Sequence, residues 1–319
     1  MTTKNSSAAP AKRVEDKRPG FFMDLLRRLI LEKPLGTFGL GVIIIFFAAG
    51  IFSKFIMPFG YQQIHLLERL QGPSAKYLLG TDELGRDELS RLIYGARISM
   101  EVGLGATLLN TIVSVLIGAT SGFLGGKTDM IVQRFVDVYV SIPSFVILLT
   151  IMTILKPSLL TIVLVLGISG GIWGARLIRS AVIAIKSNIY VSASDAIGCS
   201  PARTLLTHII PNIMPTLIIT FTLGIGGNIL AEAGLSFLGF GLPPGVPSWG
   251  VLINDAQKYL QQDPQLTFWP GLALSLSVFG MNMFGDSIRD LLDPRLRGGV
   301  GRYSLSDKKL KQLKASLVK

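Results

Sequence analysis

The chain alternates long apolar runs with short polar segments. Six stretches contain no Asp, Glu, Lys or Arg and are 18 to 28 residues long: 35–53, 102–126, 138–155, 157–175, 204–231 and 264–285. Because an α-helix rises about 1.5 Å per residue, some 20 apolar residues cross the roughly 30 Å hydrocarbon core of a bilayer. The pattern therefore predicts an all-α polytopic membrane protein with six transmembrane helices.

Composition separates this protein from a soluble one. Hydrophobic residues make up 49% of its 319 residues and charged residues only 16%, whereas about a quarter of a soluble domain is charged. A soluble alternative would need six unusually long core helices. A seventh uncharged stretch, 233–254, contains GLPPGVPSWG, whose proline and glycine residues indicate a loop.

Basic residues are distributed unevenly among the segments that connect the runs. If residue 1 is cytoplasmic and each run crosses once, 23 of the 31 Lys and Arg residues lie on the cytoplasmic side and 8 lie outside. Connecting segments rich in Lys and Arg favour the cytoplasm, so we expect both termini there and residues 54–97 outside. The net charge of +11 then reflects topology and membrane lipid, and no nucleic acid is expected as a partner.

These segments divide the chain into four parts. Residues 1–34 form a cytoplasmic tail with a short amphipathic segment, and residues 35–96 hold the first transmembrane helix and an extracytoplasmic loop. Residues 97–290 form the transmembrane core with a cytoplasmic loop at 188–211, and residues 291–319 form a basic cytoplasmic tail. The first run is expected to remain a span, because the tail before it is too long and too charged for a secretory signal.

A glycine-rich segment, SGFLGGKTD at 121–129, approaches a phosphate-binding loop. Gly126, Lys127 and Thr128 fit the end of that motif, but its first glycine falls at Ser121. The motif also belongs between a strand and a helix, whereas this segment ends an apolar run. We therefore expect a cytoplasmic turn that binds no nucleotide.

A second segment, GISGG at 167–171, satisfies G-x-S-x-G and places Ser169 inside the fourth predicted span, as in a rhomboid-type intramembrane serine protease. Such a serine needs a histidine base within hydrogen-bond reach. The two histidines, His65 and His208, fall in the first outside loop and at the start of the fifth span. Small residues here also let membrane helices pack closely. The protease is the alternative from another functional class.

Neither a metal nor a cofactor is expected. The chain has no C-x-x-C, no H-E-x-x-H and no cluster of histidines with carboxylates. Its single cysteine, Cys199, excludes an internal disulfide. Energy for any work done by this chain is therefore expected to come from another protein.

Residues 190–212, YVSASDAIGCSPARTLLTHIIPN, stand between two spans and are called the bracket below. Apolar residues at helical spacing predict a short first helix, and Gly198 can adopt the positive φ that suits its C-terminus. Ser200 and Pro201 are typical of an N-cap and the first turn of a second helix, which is expected to end at Pro211. Two helices around a glycine turn indicate a docking element on the cytoplasmic surface. An ordinary connecting loop is the alternative.

The bracket resembles the cytoplasmic signature of ABC-importer permeases, EAA-x3-G-x9-I-x-L-P. Gly198 and Pro211 take its glycine and proline, Ala193 takes its first alanine, and Ile210 takes its leucine position. The chain departs from the signature in having Ser192 for the glutamate, Ser194 for the second alanine and His208 for the isoleucine. The resemblance therefore implies that the bracket itself is retained, but that it has no salt bridge from the glutamate which Ser192 replaces.

Three more segments are similar to C-type permeases of the dipeptide/oligopeptide import family. They are LLGTDELGRDELSRLIYGARISM at 78–100, AEAGLSFLGFGLPPGVPSWG at 231–250 and GDSIRDLLDPRLRG at 285–298. The resemblance runs from about the first span to residue 298. It implies the type I ABC-importer permease fold, in which five core helices and one extra N-terminal helix agree with the six runs.

The same resemblance implies a half-channel with several partners. They are a second, B-type permease subunit, two ATP-binding subunits and an extracytoplasmic substrate-binding protein in a bacterial or archaeal cytoplasmic membrane. Its coupling residues would be Ser192, Ala193, Ser194, Asp195, Gly198, Pro201, Ile210 and Pro211. The cargo is expected to be di- or oligopeptides, with nickel, glutathione or oligosaccharide as alternatives, and this chain would hydrolyse no ATP.

Two polar residues lie in or beside predicted spans. Glu232 follows the fifth apolar run directly, and an acid at such a place is by default a functional candidate. The alternative is a carboxylate at the end of a span that faces water. Asn110 is expected to bond a neighbouring helix rather than to touch substrate.

Overall fold

The structure, a computed structural model, describes residues 21–292. The regular secondary structure of this part is helical apart from an isolated β-bridge between Thr81 and Asp87, and a largely irregular segment at 57–87 is the longest connection. The predicted tails lie largely outside these residues. The helices are α1 (Phe21–Glu32), α2 (Pro34–Ile51), α3 (Ser53–Ile56), α4 (Glu88–Leu124), α5 (Gly126–Ser141), α6 (Ser144–Ile154), α7 (Leu159–Lys186), α8 (Ile189–Ala196), α9 (Pro201–Thr204), α10 (Ile210–Phe237), α11 (Trp249–Ala256) and α12 (Gln265–Leu292).

By length and composition, four helices of the described chain can cross a membrane, or five if one bent pair is a single span. The four are α2, α4, α7 and the continuous helix Pro201–Phe237, and the pair is α5 with α6. The sixth predicted run lies in α12, which is not among the helices whose length and apolar composition suffice to cross a membrane. The fold class is confirmed as all-α with several apolar helices, but the count of six spans is not.

The run 138–155 was wrongly predicted as one helix. The chain bends by 85° between α5 and α6, where Ile142 and Pro143 have extended backbone conformations. A proline disfavours the helical conformation in the residue before it, so the helix ends at Ser141. The prediction of an apolar segment was right, but the chain bends at Pro143 and the segment is divided between two helices.

The second predicted span is much longer than its apolar run. Helix α4 has 37 residues and begins at Glu88, where the Asp87 carboxylate caps it by accepting the Ser90 N–H at 2.8 Å. The expected boundary between residues 96 and 97 therefore lies inside this helix. The first part of this helix, from Glu88 to Glu101, contains charged residues and therefore does not belong to any uncharged run.

Glycines allow α4 and α7 to pack closely along their lengths. Gly167, Gly170, Gly171 and Gly174 all face α4, and a Cβ placed on Gly171 would lie 2.5 Å from the Cβ of Val113. The small residues predicted for this segment therefore serve helix packing, as expected for membrane helices.

Helix α2, the first of the long apolar helices, packs against α12 and α4. A Cβ on Gly39 would lie 2.5 Å from the carbonyl oxygen of Gly280, and Gly50 lies against the backbone of Arg97. At one end of α2, Lys33 Nζ pairs with the Asp290 carboxylate at 2.5 Å. These contacts fix α2 on one side of the bundle.

Candidate functional site

The bracket begins with α8, whose C-terminus requires the conformation that Gly198 supplies. Gly198 has φ of +80°, and the N–H groups of Gly198 and Cys199 donate to the carbonyls of Asp195 at 3.0 Å and Ser194 at 3.1 Å. No atom lies within 4 Å of the position that a Cβ would take there. The requirement for glycine is therefore one of backbone conformation alone.

The second helix of the bracket differs from its prediction in two ways. Ser200 stands at the N-cap and Pro201 follows, but the Ser200 hydroxyl makes no capping bond. The helix also does not end at Pro211. It passes through a π-helical segment, Leu205–Ile209, and continues as α10 to Phe237. Because the α-helical segment starts again at Ile210, Pro211 stands in its first turn, where a missing N–H is tolerated.

An apolar cluster seats the bracket on the ends of the long helices. Val191 of α8 and Ile209 are fully buried against Phe123 of α4 and against Ile178 and Val182 of α7. The bracket is therefore an ordered part of the bundle.

A pair of buried hydroxyls connects the two arms of the bracket. Ser194 Oγ lies 3.4 Å from Thr204 Oγ1, which in turn donates to the Asp195 carboxylate at 3.5 Å. Of the sequence-predicted coupling residues, Ser194 is thus inside the bracket. Ile210 is half-buried, and the others lie on its surface: Ser192, Ala193, Asp195, Gly198, Pro201 and Pro211.

The outer surface of the bracket exposes large apolar side chains. Ile197 is 81% exposed, Leu206 is 67% exposed and Tyr190 is 46% exposed, and Ile189, directly before the bracket, is 88% exposed. Apolar side chains grouped on one projecting element are typical of a surface that another protein covers. The sequence pattern had predicted a short helix with apolar residues at helical spacing, without showing which of them are exposed.

One ion pair and a lysine brace the membrane helices beside the bracket. Arg179 of α7 binds both carboxylate oxygens of Asp129 at 2.6 and 2.5 Å, and the Ser121 hydroxyl donates to the same carboxylate at 2.9 Å. Lys186 Nζ donates to the carbonyl oxygen of Phe123 at 2.6 Å. SGFLGGKTD is thus a junction between two helices, with Gly125 at φ of +68°.

Glu232 is fully buried near the end of α10 and does not face water within this chain. The hydroxyls of Ser236 and Ser248 donate to its Oε1 at 2.6 and 2.7 Å, and that of Ser99 donates to Oε2 at 3.3 Å. The alternative of a carboxylate that faces water therefore does not hold within this chain. The three hydroxyl donors, two of which come from other elements, satisfy the carboxylate in its buried position.

Asn110 takes part in the packing of α4 on α7. Its Oδ1 accepts from Ser114 Oγ at 3.2 Å, and the same hydroxyl lies 2.9 Å from the carbonyl oxygen of Gly171. The contact with the neighbouring helix therefore runs through Ser114, and Gly170 leaves room for the amide.

At the other end of α4, charged residues fix the loop that precedes this helix. The Asp82 carboxylate binds Arg86 at 2.6 Å and also Arg91, which reaches Asp255 of α11 at 3.1 Å. Burial raises the pKa of Glu83, and the charge of Asp82 adds to that effect. The segment 78–100 therefore joins this loop to α4 and α11.

A family model described as "Binding-protein-dependent transport system inner membrane component" matches residues 114–298. The chain belongs to this family. It is 36% identical over 292 residues to the oligopeptide transport system permease protein OppC of Bacillus subtilis (strain 168), covering 92% of this chain and 95% of the relative. The prediction of a membrane transport subunit is confirmed, and the intramembrane protease is excluded.

Other relatives of this chain have names that state different cargoes. The dipeptide transport system permease protein DppC of Alkalihalophilus pseudofirmus is 36% identical and covers 83% of this chain and 88% of its own length. The nickel transport system permease protein NikC of Escherichia coli (strain K12) is 37% identical over 76% of this chain and 88% of its own.

A solved structure supports the fold. A chain of the MetNI methionine ABC transporter in an inward-facing conformation aligns with 64% of this chain and 96% of its own, with a TM-score of 0.54 and 16% sequence identity. The type I ABC-importer permease fold predicted for the permease is thereby confirmed.

Proposed function

We propose that this permease forms one half of the translocation pathway of a peptide importer and receives energy from ATPase subunits through the bracket. The observation that carries the proposal is the shape of residues 190–212. This segment is seated on α4 and α7 by buried Val191 and Ile209, while its Ile197 and Leu206 side chains are exposed. A rigid element with an apolar outer face suits insertion into a cleft on a partner.

The proposed complex contains a B-type permease subunit, two ATP-binding subunits and an extracytoplasmic binding protein. The family description names binding-protein-dependent transport, which supports the last of these. Orientation follows from charge: 23 of 31 basic residues fall on the side that holds both termini, so the bracket faces the cytoplasm. The location is the bacterial or archaeal cytoplasmic membrane.

Di- or oligopeptides are the proposed cargo. Support comes from the names of the OppC and DppC relatives, which match 92% and 83% of the chain at 36% identity. Nickel is the second candidate, because NikC is as similar in sequence. Uptake of a radiolabelled tripeptide and of nickel ions by cells that produce the complete transporter, with and without this subunit, separates the two.

Contact between the bracket and an ATPase subunit is tested by cross-linking. In a Cys199→Ser background, a cysteine at Ile197 should join covalently to a tagged ATPase subunit through a short bifunctional maleimide. The matched control is a cysteine at Leu78, which is also exposed but lies in the loop before α4. Equal cross-linking at both positions, or none at Ile197, would count against the proposal.

A further inference from the structure

The carboxylate of Glu232 joins three separate elements at one end of the bundle. Of its hydroxyl donors, Ser236 lies on α10 with it, Ser99 lies on α4, and Ser248 is the N-cap of α11, where it also accepts the Val251 N–H at 3.3 Å. Among the described ion pairs, none involves Glu232. Hydroxyl groups alone therefore compensate its burial.

The elements around this carboxylate are packed without spare room. Trp249, the first residue of α11, is fully buried, and its indole N–H donates to the carbonyl of Leu92 on α4 at 3.3 Å. A Cβ on Gly250 would lie 2.6 Å from Cα of Ala233 on α10. Helix α11 therefore sits directly on the backbone of α10 and cannot come closer.

The helix that carries Glu232 is the same helix that starts in the bracket. It runs without interruption from Pro201 to Phe237, so Glu232 stands about 45 Å along its axis from Pro201, the start of the helix inside the bracket, at 1.5 Å per residue. A displacement of the bracket would be carried along this helix to Glu232, whose hydrogen bonds connect α10 to α4 and α11.

We propose that Glu232 is a positioning residue that fixes α11 and α4 to the outer end of α10, so that movement of the bracket reaches the outer side of the permease. The inference rests on the proposed function, because it needs an ATP-driven movement of the bracket. The Glu232 side chain touches neither cargo nor nucleotide in this account. Its two oxygens hold three hydroxyls from three elements in one place.

Substitutions separate this role from simple filling of space. Glu232→Leu keeps a side chain of similar size but loses both acceptors, and should release α11. Glu232→Gln keeps an oxygen for Ser236 and Ser248, and its amide can donate to the Ser99 hydroxyl, so it should behave as the wild type. Ser248→Ala removes a bond between elements, whereas Ser236→Ala removes a bond of 2.6 Å within α10 and is the matched control.

The measurement uses the whole transporter with spin labels on cysteines at Lys156 and Gln257, both exposed, in the Cys199→Ser background. Label-to-label distances are recorded with and without ATP and vanadate, and ATPase activity is followed in parallel. We expect one narrow distribution that shifts with nucleotide in the wild type, Glu232→Gln and Ser236→Ala. In Glu232→Leu and Ser248→Ala the distribution should widen and lose at least half of its shift, while ATPase activity persists.

Two outcomes overturn the inference, and they differ. If the wild type responds to nucleotide and Glu232→Leu and Ser248→Ala respond identically, the positioning role is wrong and the proposed function stands. If the wild type shows no response although ATP is hydrolysed, the proposed coupling fails and the role of Glu232 fails with it.

Discussion

Individual charged side chains brace the helices beside the bracket. Asp129 and Arg179 make two parallel bonds, and their side chains are only 16% and 31% exposed. A bidentate arginine–carboxylate pair fixes both distance and orientation. Because α5 begins directly after Gly125, this pair determines how α5 leaves the end of α4 and lies against α7.

Removal of either partner should destabilise the permease, and the two changes should not add. Asp129→Ala leaves a half-buried guanidinium without its partner, and Arg179→Ala does the same to the carboxylate. We expect a coupling energy within the range of about 0.5–3 kcal/mol known for contacting residues. Thermal unfolding of the purified complex for the wild type, both single variants and the double variant measures it. Strictly additive shifts would mean that the pair contributes nothing of its own.

Local features of single residues could be predicted from sequence, whereas distant partners could not. The positive φ of Gly198 follows from its place between two short helices, and the structure has it at +80°. The hydroxyls around Glu232 come from residues 133 positions before it and 16 after it. Nothing in a single sequence brings Ser99 and Ser248 together, so a water-facing carboxylate was an equal alternative.

Close packing between helices determines how the elements of the core are arranged. Glycines on one face of α7 meet α4 so closely that Gly171 would place a Cβ 2.5 Å from that of Val113. In a bilayer, association between helices depends on such close contact and on bonds between them, because lipid chains are as apolar as leucine. The Ser114 hydroxyl, which donates to the carbonyl of Gly171, adds one of these bonds.

Gly171→Val should therefore separate α4 from α7 and lower the amount of subunit in membranes severalfold. The matched control is Gly227→Val, also inside a spanning helix, because no atom lies within 4 Å of a Cβ at that position. Quantitative immunoblots of a tagged subunit give the result. Adding Val113→Ala to Gly171→Val should restore part of the loss. Equal abundance of the two valine variants would show that this contact is not limiting.

At the level of elements, apolar runs predicted where helices lie better than where they end. The runs cannot report a helix that begins among charged residues, as α4 does at Glu88 under an Asp87 cap. They also cannot report a bend inside an apolar run, as at Pro143. The helix predicted to end at Pro211 continues instead, because the π-helical segment before it restarts the α-helical pattern.

Helix α4 connects the two ends of the molecule. Ser74 lies exposed in the loop before α4, and the bracket lies at the opposite end of α4, beside Phe123. If the charge bias sets the orientation, that loop is outside and the N-terminal tail is inside.

Single cysteines test that orientation in a Cys199→Ser background. A cysteine at Ser74 should react with a membrane-impermeant maleimide in intact cells, or in spheroplasts if an outer membrane is present. A cysteine at Ser6, which lies outside the described residues, should react only after the membrane is opened. Labelling at Ser6 and protection at Ser74 in closed cells would reverse the topology and place the bracket outside.

Gly198→Val is the sharpest test of the proposed coupling between the ATPase subunits and this permease through the bracket. A valine at positive φ costs about 1–2 kcal/mol of backbone strain or more, and no neighbouring atom is displaced. Gly239→Val is the matched control, because Gly239 has φ of +84° and equally open surroundings but lies after α10, away from the bracket. The measurement is ATP-dependent import into cells or vesicles that hold the complete transporter, with subunit abundance checked in the same membranes.

We expect both variants at normal abundance. Gly198→Val should lose at least nine-tenths of import, because α8 and α9 then meet at another angle and seat poorly on the ATPase subunit. Gly239→Val should keep the ATPase subunits bound and most of the import. Import by Gly198→Val at the wild-type rate would show that residues 190–212 only connect two helices and do not couple the ATPase subunits to the permease.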